Sequence, residues 1–195
     1  MTNYLTFFRT FLELSFFCTL GEENPILPTH FIGASNPLTH ALISSATLNI
    51  GETICEINEN NYTLIAKFKD LQHYTPAARN SIISFFEKSY DDWDQNIPDN
   101  LEDCFTKTTV AGTDVYTPTN SAGKTAKLLW NKNVITALIQ VQCPLTSFES
   151  LLPAEVEVGL KLMFQTPERF FVCKTTPTIQ PKIHIKSAKL YVQGK

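Results

Sequence analysis

Gly123-Lys124-Thr125 is the tripeptide that, in a phosphate-binding loop, sets backbone N–H groups and a lysine against a nucleotide's phosphates. That loop also needs a leading glycine, and its position here is Pro118, which has no N–H to give. The tripeptide reads as an exposed turn. The four histidines, His30, His40, His73 and His184, show no HxH or HExxH spacing, so a zinc site would have to be assembled from distant elements. Ordinary surface or partly buried imidazoles are the simpler account. No GxSxG elbow is present, and no cysteine sits in a motif that marks a lowered pKa, so the sequence displays no activated nucleophile. The acidic run Asp91, Asp92, Asp94, followed by Asp99, Glu102 and Asp103, offers carboxylates suited to calcium. It lacks the glycine and the terminal glutamate of a calcium loop, and a solvated loop is expected instead. Trp93 and Trp130 are either anchors on the core or, by analogy with lectin sandwiches, platforms for a sugar. No catalytic residue, metal or cofactor is expected.

The elements that hold these residues follow from composition and periodicity. A chain of 195 residues, 43% hydrophobic, buries about 70% of its unfolded surface on folding, so one domain over residues 1–195 is expected. Charged residues make up only 18%, Phe is abundant at 14 residues, and Thr, Ile, Leu and Val are frequent, a mixture that favours pleated sheets. A net charge of −3 gives no electrostatic reason to expect nucleic acid or an anionic membrane as partner. Cys18, Cys55, Cys104, Cys143 and Cys173 are odd in number and widely spaced, which points to reduced, mostly buried thiols. Arg9 and Glu13 interrupt the apolar N-terminal stretch before it reaches signal-peptide length, and no run is long enough for a membrane span. An intracellular setting is expected.

Along the chain, Leu12, Leu14, Phe16, Cys18 and Leu20 alternate with a more polar odd-numbered set and predict a two-faced strand. Gly21 to Pro37 is a loop rich in proline and glycine, and Gly51-Glu52 reverses a hairpin between Leu48/Ile50 and Ile54/Ile57. Tyr62, Ile65, Phe68 and Leu71, then Thr75-Pro76 as N-cap and first helical residue, predict one or two short helices over about 60–90. From Tyr90 to Asn133 the chain is polar, with only "TKTTVAG" and "AKLLW" resembling weak strands. Ile135, Ala137, Ile139, Val141 and Cys143 form one face of a later strand. Val156, Val158, Leu160, Leu162 and Phe164 form the inward face of the most regular strand, which breaks at Thr166-Pro167. Ile183 and Ile185 share one parity while Ala188, Leu190 and Val192 share the other, and a bulge near Lys186-Ser187 would restore a single core face. Stacked faces of this kind predict a mainly β, antiparallel jelly-roll β-sandwich with one or two short helices inserted in loops. Its core strand residues are expected to be Val156, Val158, Leu160, Leu162, Ile183, Ile185, Leu190 and Val192.

Several of these segments carry a family resemblance. Leu151-Leu152-Pro153, the strand Val156 to Leu162, the pair Phe170-Phe171 and the stretch Lys182 to Val192 look like the closing strands of one jelly roll. They resemble the first roll of the double-jelly-roll major capsid proteins of polinton (Maverick) elements and adintoviruses. "TFLELSFFCTL", "GASNPLTHALISSATLNIGETI" and the segment from "NNYTLIAKFKDLQHYTPAARNS" are similar to that family's early strand, its approach to a turn and its inserted helix.

The resemblance implies a structural protein of the virion, without cofactor, that self-associates; in the full-length family three double-roll subunits form a capsomer. On that resemblance the sequence is expected to hold one roll with the second missing, as a truncated or genome-integrated form or as a domain acting alone. A different class stays open beside it: a non-catalytic module binding a glycan or peptide through loops bearing Trp93, Trp130 and the acidic run.

Overall fold

The alternating apolar residues of the N-terminal third become the spine of the molecule. The computed structural model describes residues 4–57, 61–78, 81, 101–141, 151–153, 156–173 and 179–194. In chain order the elements are β1 (Tyr4–Leu20), β2 (Asn24–Pro25), β3 (Gly33–Ala34), α1 (Leu38–Ala41), β4 (Ile43–Ile50), β5 (Thr53–Ile57), α2 (Tyr62–His73) and α3 (Pro76–Ala78). There follow β6 (Phe105–Val110), β7 (Thr113–Pro118), α4 (Ser121–Leu128), β8 (Ile135–Gln140), β9 (Leu151–Pro153), β10 (Val158–Phe164), α5 (Pro167–Phe170), β11 (Phe171–Val172) and β12 (Pro181–Gly194). Short 3-10 turns lie at Pro28–His30 and Leu101–Cys104. The fold is mainly β, its paired strands are antiparallel, and its helices are short.

Strand β1 pairs with β12 along one edge and with β9, β8 and β2 in succession along the other. A second sheet runs in the order β10-β4-β5, its β4–β5 turn made by Gly51 and Glu52. The two layers face each other through one apolar cluster. Leu12 and Leu14 of β1 and Ile139 of β8, with Val141 just beyond it, meet Ile43 and Ala46 of β4, while Leu160 and Leu162 of β10 pack partly against them. This is sheet-on-sheet packing, in which the inward residues of both layers make a dry interior. Tyr62 and Ala66 bring α2 onto the same cluster.

Beyond Leu14 the second sheet stops covering β1, and loops and short helices take over. Phe16 and Cys18 lie under Ile26, Ile32, Leu38, Leu42, Leu129, Trp130, Phe170 and Phe171, all buried. The paired phenylalanines after Pro167 are both core residues, their rings edge to face at 4.9 Å. The proline-rich loop therefore lies inward: Ile26 is buried, and Gly33–Ala34 pairs with Phe171–Val172.

Three expectations are corrected. "AKLLW" is not a strand: Ser121–Leu128 is helical, its N-cap Asn120 accepting a 2.9 Å hydrogen bond from the Gly123 N–H. Nor is the tripeptide Gly123-Lys124-Thr125 an exposed turn, because Gly123 and Thr125 are buried in that helix. In α2 the buried stripe is Tyr62, Ala66 and Asp70, spaced by four, while Phe68 and Leu71 of the three-residue series are exposed. Small Ala66 lets the helix approach β4 more closely than a larger side chain would.

The bulge near Lys186-Ser187 is present. Ser15 faces Ser187 and Phe16 faces Ile185, so Lys186 is the extra residue. It turns Leu190 and Ala188 to the side of Leu12 and Leu14, and Ile185 and Ile183 to the side of Phe16 and Cys18.

Candidate interaction surface

Several chemically capable residues among those described have structural partners. Thr19 Oγ1 lies 2.8 Å from His184 Nε2, the separation of a nucleophile from its base. The same hydroxyl donates to the Gly21 carbonyl at 2.8 Å and Thr19 is 1% exposed, so no substrate carbon can reach it. The His184 ring stacks on Phe17 at 4.8 Å between centroids. His40 is fully buried, with Nδ1 at 3.3 Å from the Tyr62 hydroxyl, and this contact fastens α1 to α2. Cys18, Cys104 and Cys173 are free thiols; burial pushes Cys18 up to about 12 and also raises Cys104 and Cys173. A thiol so raised is a poor nucleophile at neutral pH. Among the described residues no group of three or more His, Cys, Asp or Glu could hold a metal ion. Glu102 and Asp103 of the acidic run are exposed, and Asp91 to Asp99 and Trp93 lie outside the described residues. Trp130 is buried against Phe105 at 5.3 Å, a core anchor that offers no open ring face for a sugar.

The surface is more informative at the sheet edge. Strand β12 ends its sheet: among the described residues nothing pairs its outer side. Of the expected core strand residues, Val156, Val158, Leu160, Leu162 and Ile183 are half-buried, with Val156 just ahead of the strand. Ile185 and Leu190 correct the expectation, being 37% and 42% exposed. Their parity is the core-facing one, since they sit opposite buried Phe16 and Leu12, yet both remain partly exposed. The side chain of Val192 lies outside the described residues.

The outer side of the same strand is polar and internally neutralised. Glu13 accepts hydrogen bonds from Lys189 Nζ and the Tyr191 hydroxyl, each at 3.1 Å, and these partners hold its carboxyl below the ordinary carboxylate range. Lys182 pairs likewise with Glu22 and lowers it. Lysines on an edge strand ordinarily repel a second strand. Here two of the three on β12 are already matched by carboxylates of their own sheet.

A second exposed element was only partly legible. The β6–β7 hairpin turns at Ala111-Gly112, both with positive φ (49° and 78°), the geometry of a tight two-residue reversal. Its base is clamped by Phe105 and Tyr116 against Phe31. Helix α4, which holds that base, was missed; Asn120 followed by Ala122, Ala126 and Leu129 at helical spacing is the signal that locates it.

No family model, curated protein or solved structure matches the chain. No helix among the described residues is long and apolar enough to cross a membrane.

Proposed function

We propose that the chain is a structural protein: a capsid-like domain of jelly-roll connectivity that acts by lateral association with further copies or with a second roll. The observation that carries this reading is the edge strand β12. A core-facing row of Ile185, Ala188 and Leu190, on a 14-residue strand whose outer edge is unpaired among the described residues, is apolar surface left partly exposed and open to further burial. The resemblance of the closing strands to the first roll of double-jelly-roll capsid proteins supports the same role, because in such proteins the roll stands beside another roll. The virion is its place on this reading. Nothing in the role calls for a cofactor, a metal or a converging polar cleft. Of the side chains named for the glycan-module alternative, Trp130 is sealed in the core, and Trp93 and Asp91 to Asp99 lie outside the described residues.

The test is association of the wild-type chain beside an Ile185→Lys/Leu190→Lys variant, followed by light scattering. The wild type forms trimers or larger species, and the variant stays folded and monomeric. A wild type that is monomeric at high concentration, with no binding of a hydrophobic dye, refutes the proposal.

A further inference from the structure

Strand β12 runs for 14 residues, Pro181–Gly194; its inner edge pairs with β1, and its outer edge is unpaired among the described residues. Such an edge presents main-chain N–H and C=O groups that a further strand can complete. Lysine is a usual defence against this, and β12 carries Lys182, Lys186 and Lys189. Lys182 is matched by Glu22 and Lys189 by Glu13, so both repel a newcomer less than bare lysines would. Their positions still decide which second strand fits, and in which register.

Resting on the reading above, we infer that β12 pairs antiparallel with β12 of a second copy of this chain, about a two-fold axis at the Lys186 bulge. The bulge is what lets the strand match itself. It leaves the core-facing row odd-numbered on one side, Ile183 and Ile185, and even-numbered on the other, Ala188 and Leu190. A two-fold axis between Lys186 and Ser187 lays one arm of that row beside the other arm of its copy. Ile185 then faces Ala188, Ile183 faces Leu190, His184 faces Lys189, Lys182 faces Tyr191 and Lys186 faces Ser187, one member from each copy. No lysine opposes a lysine. A slip of one residue would set the apolar row against the polar one. A slip of two would bring Lys189 against Lys182 in one direction and against Lys186 in the other, and like charges directly opposite are destabilising. Charge thus selects one register, and length selects the occupant. The outer strands of the second sheet, β10 and β5, have only 7 and 5 residues, and β1 is paired on both edges, so within a copy only β12 can complete β12 from Lys182 to Tyr191. That overlap is about 34 Å long and about 10 Å deep, roughly 340 Å² per copy against the roughly 800 Å² per partner of a stable pair. The pairing is therefore reversible and concentration-dependent, and larger species built from it contain even numbers of copies.

Two measurements on the full chain decide this. In an equimolar mixture of Lys182→Cys copies and Tyr191→Cys copies, a short bismaleimide links position 182 of one copy to position 191 of another, identified by peptide mapping. Neither variant alone links its new cysteine to the same position of a second copy, because like positions stand about nine residues, roughly 30 Å, apart across the axis. At the axis itself, Ser187→Lys sets a lysine against Lys186 twice and weakens association about fivefold or more. Ser187→Glu sets a carboxylate there and tightens association about twofold or more, with the unfolding midpoint unchanged in both variants. A wild type that associates without the 182–191 link, or in odd numbers, overturns the two-fold pairing and leaves the assembly reading standing. Association indifferent to both Ser187 changes has the same consequence. If the wild type does not associate at all, both readings fall.

Discussion

Replacing Gly123→Ala sets two physical effects of opposite sign against each other. In a helix interior, alanine in place of glycine gains about 0.5–1 kcal/mol from backbone entropy. At this position the added Cβ would lie 2.5 Å from the Cys104 carbonyl oxygen, 3.1 Å from Pro118 Cβ and 3.3 Å from Cys104 Cβ. The carbonyl cannot simply swing away, because it accepts a 2.8 Å hydrogen bond from the Thr119 N–H. Helix α4 must then retreat by roughly an ångström, which overpacking data price at about 1–3 kcal/mol. Retreat also strains the 2.9 Å bond from Gly123 N–H to the Asn120 cap, worth about 1 kcal/mol. Steric cost wins, and the net loss is about 1–3 kcal/mol. For a chain of this size that lowers the thermal midpoint by roughly 2–4 °C per kcal/mol. Gly159→Ala on β10 supplies the control, since its Cβ would meet nothing nearer than Asn49 Cβ at 3.8 Å. It stabilises by about 0.5–1 kcal/mol. Differential scanning calorimetry of both variants should move in opposite directions; a Gly123→Ala protein as stable as the wild type would refute the packing of α4 on the hairpin base.

Leu14→Ala empties a fully buried position between the two layers and should cost about 2–5 kcal/mol in urea unfolding; a loss under about 1 kcal/mol would contradict the two-layer core. The Glu13 carboxyl, held below its ordinary value by Lys189 and Tyr191, contributes stability that is present above its unfolded pKa of about 4.3 and is lost as pH falls through the folded value. In an NMR titration Lys189→Met should move the Glu13 midpoint upward; an unmoved midpoint would show that the pair is not formed. At pH 8 a maleimide should modify half-buried Cys173 before buried Cys18, whose thiol burial pushes up to about 12, and peptide mapping that finds the reverse order would contradict the core around Phe16.

What could be read from residues alone tracked the strength of local periodicity. The parity of Leu12 to Leu20 announced β1, and the parity break between Ile185 and Ala188 located the Lys186 bulge, because a period of two leaves no other way to keep one face inward. Helix α4 escaped notice for the converse reason. Its buried side chains are Ser121, Ala122, Thr125 and Ala126, small residues that pack closely yet hardly register as apolar. Register predicts the side on which a residue lies but not whether anything covers it, and Ile185 and Leu190 fell into that gap. Their exposure depends on what packs over them, a property of assembly between distant segments. The candidate surface was illegible for the same reason: the outer edge of β12 exists only once Ile185 and Leu190 are paired with Phe16 and Leu12 on its inner side.

The role proposed for the chain stands or falls on whether the free edge of β12 is covered when copies meet. Alternate amides of Pro181–Gly194 point away from β1, so hydrogen exchange along this strand, followed at low and at high protein concentration, reports on that edge. The account predicts that protection from Ile185 to Tyr191 rises with concentration while protection in β4 stays constant. Exchange along β12 that is fast and identical at both concentrations would contradict it.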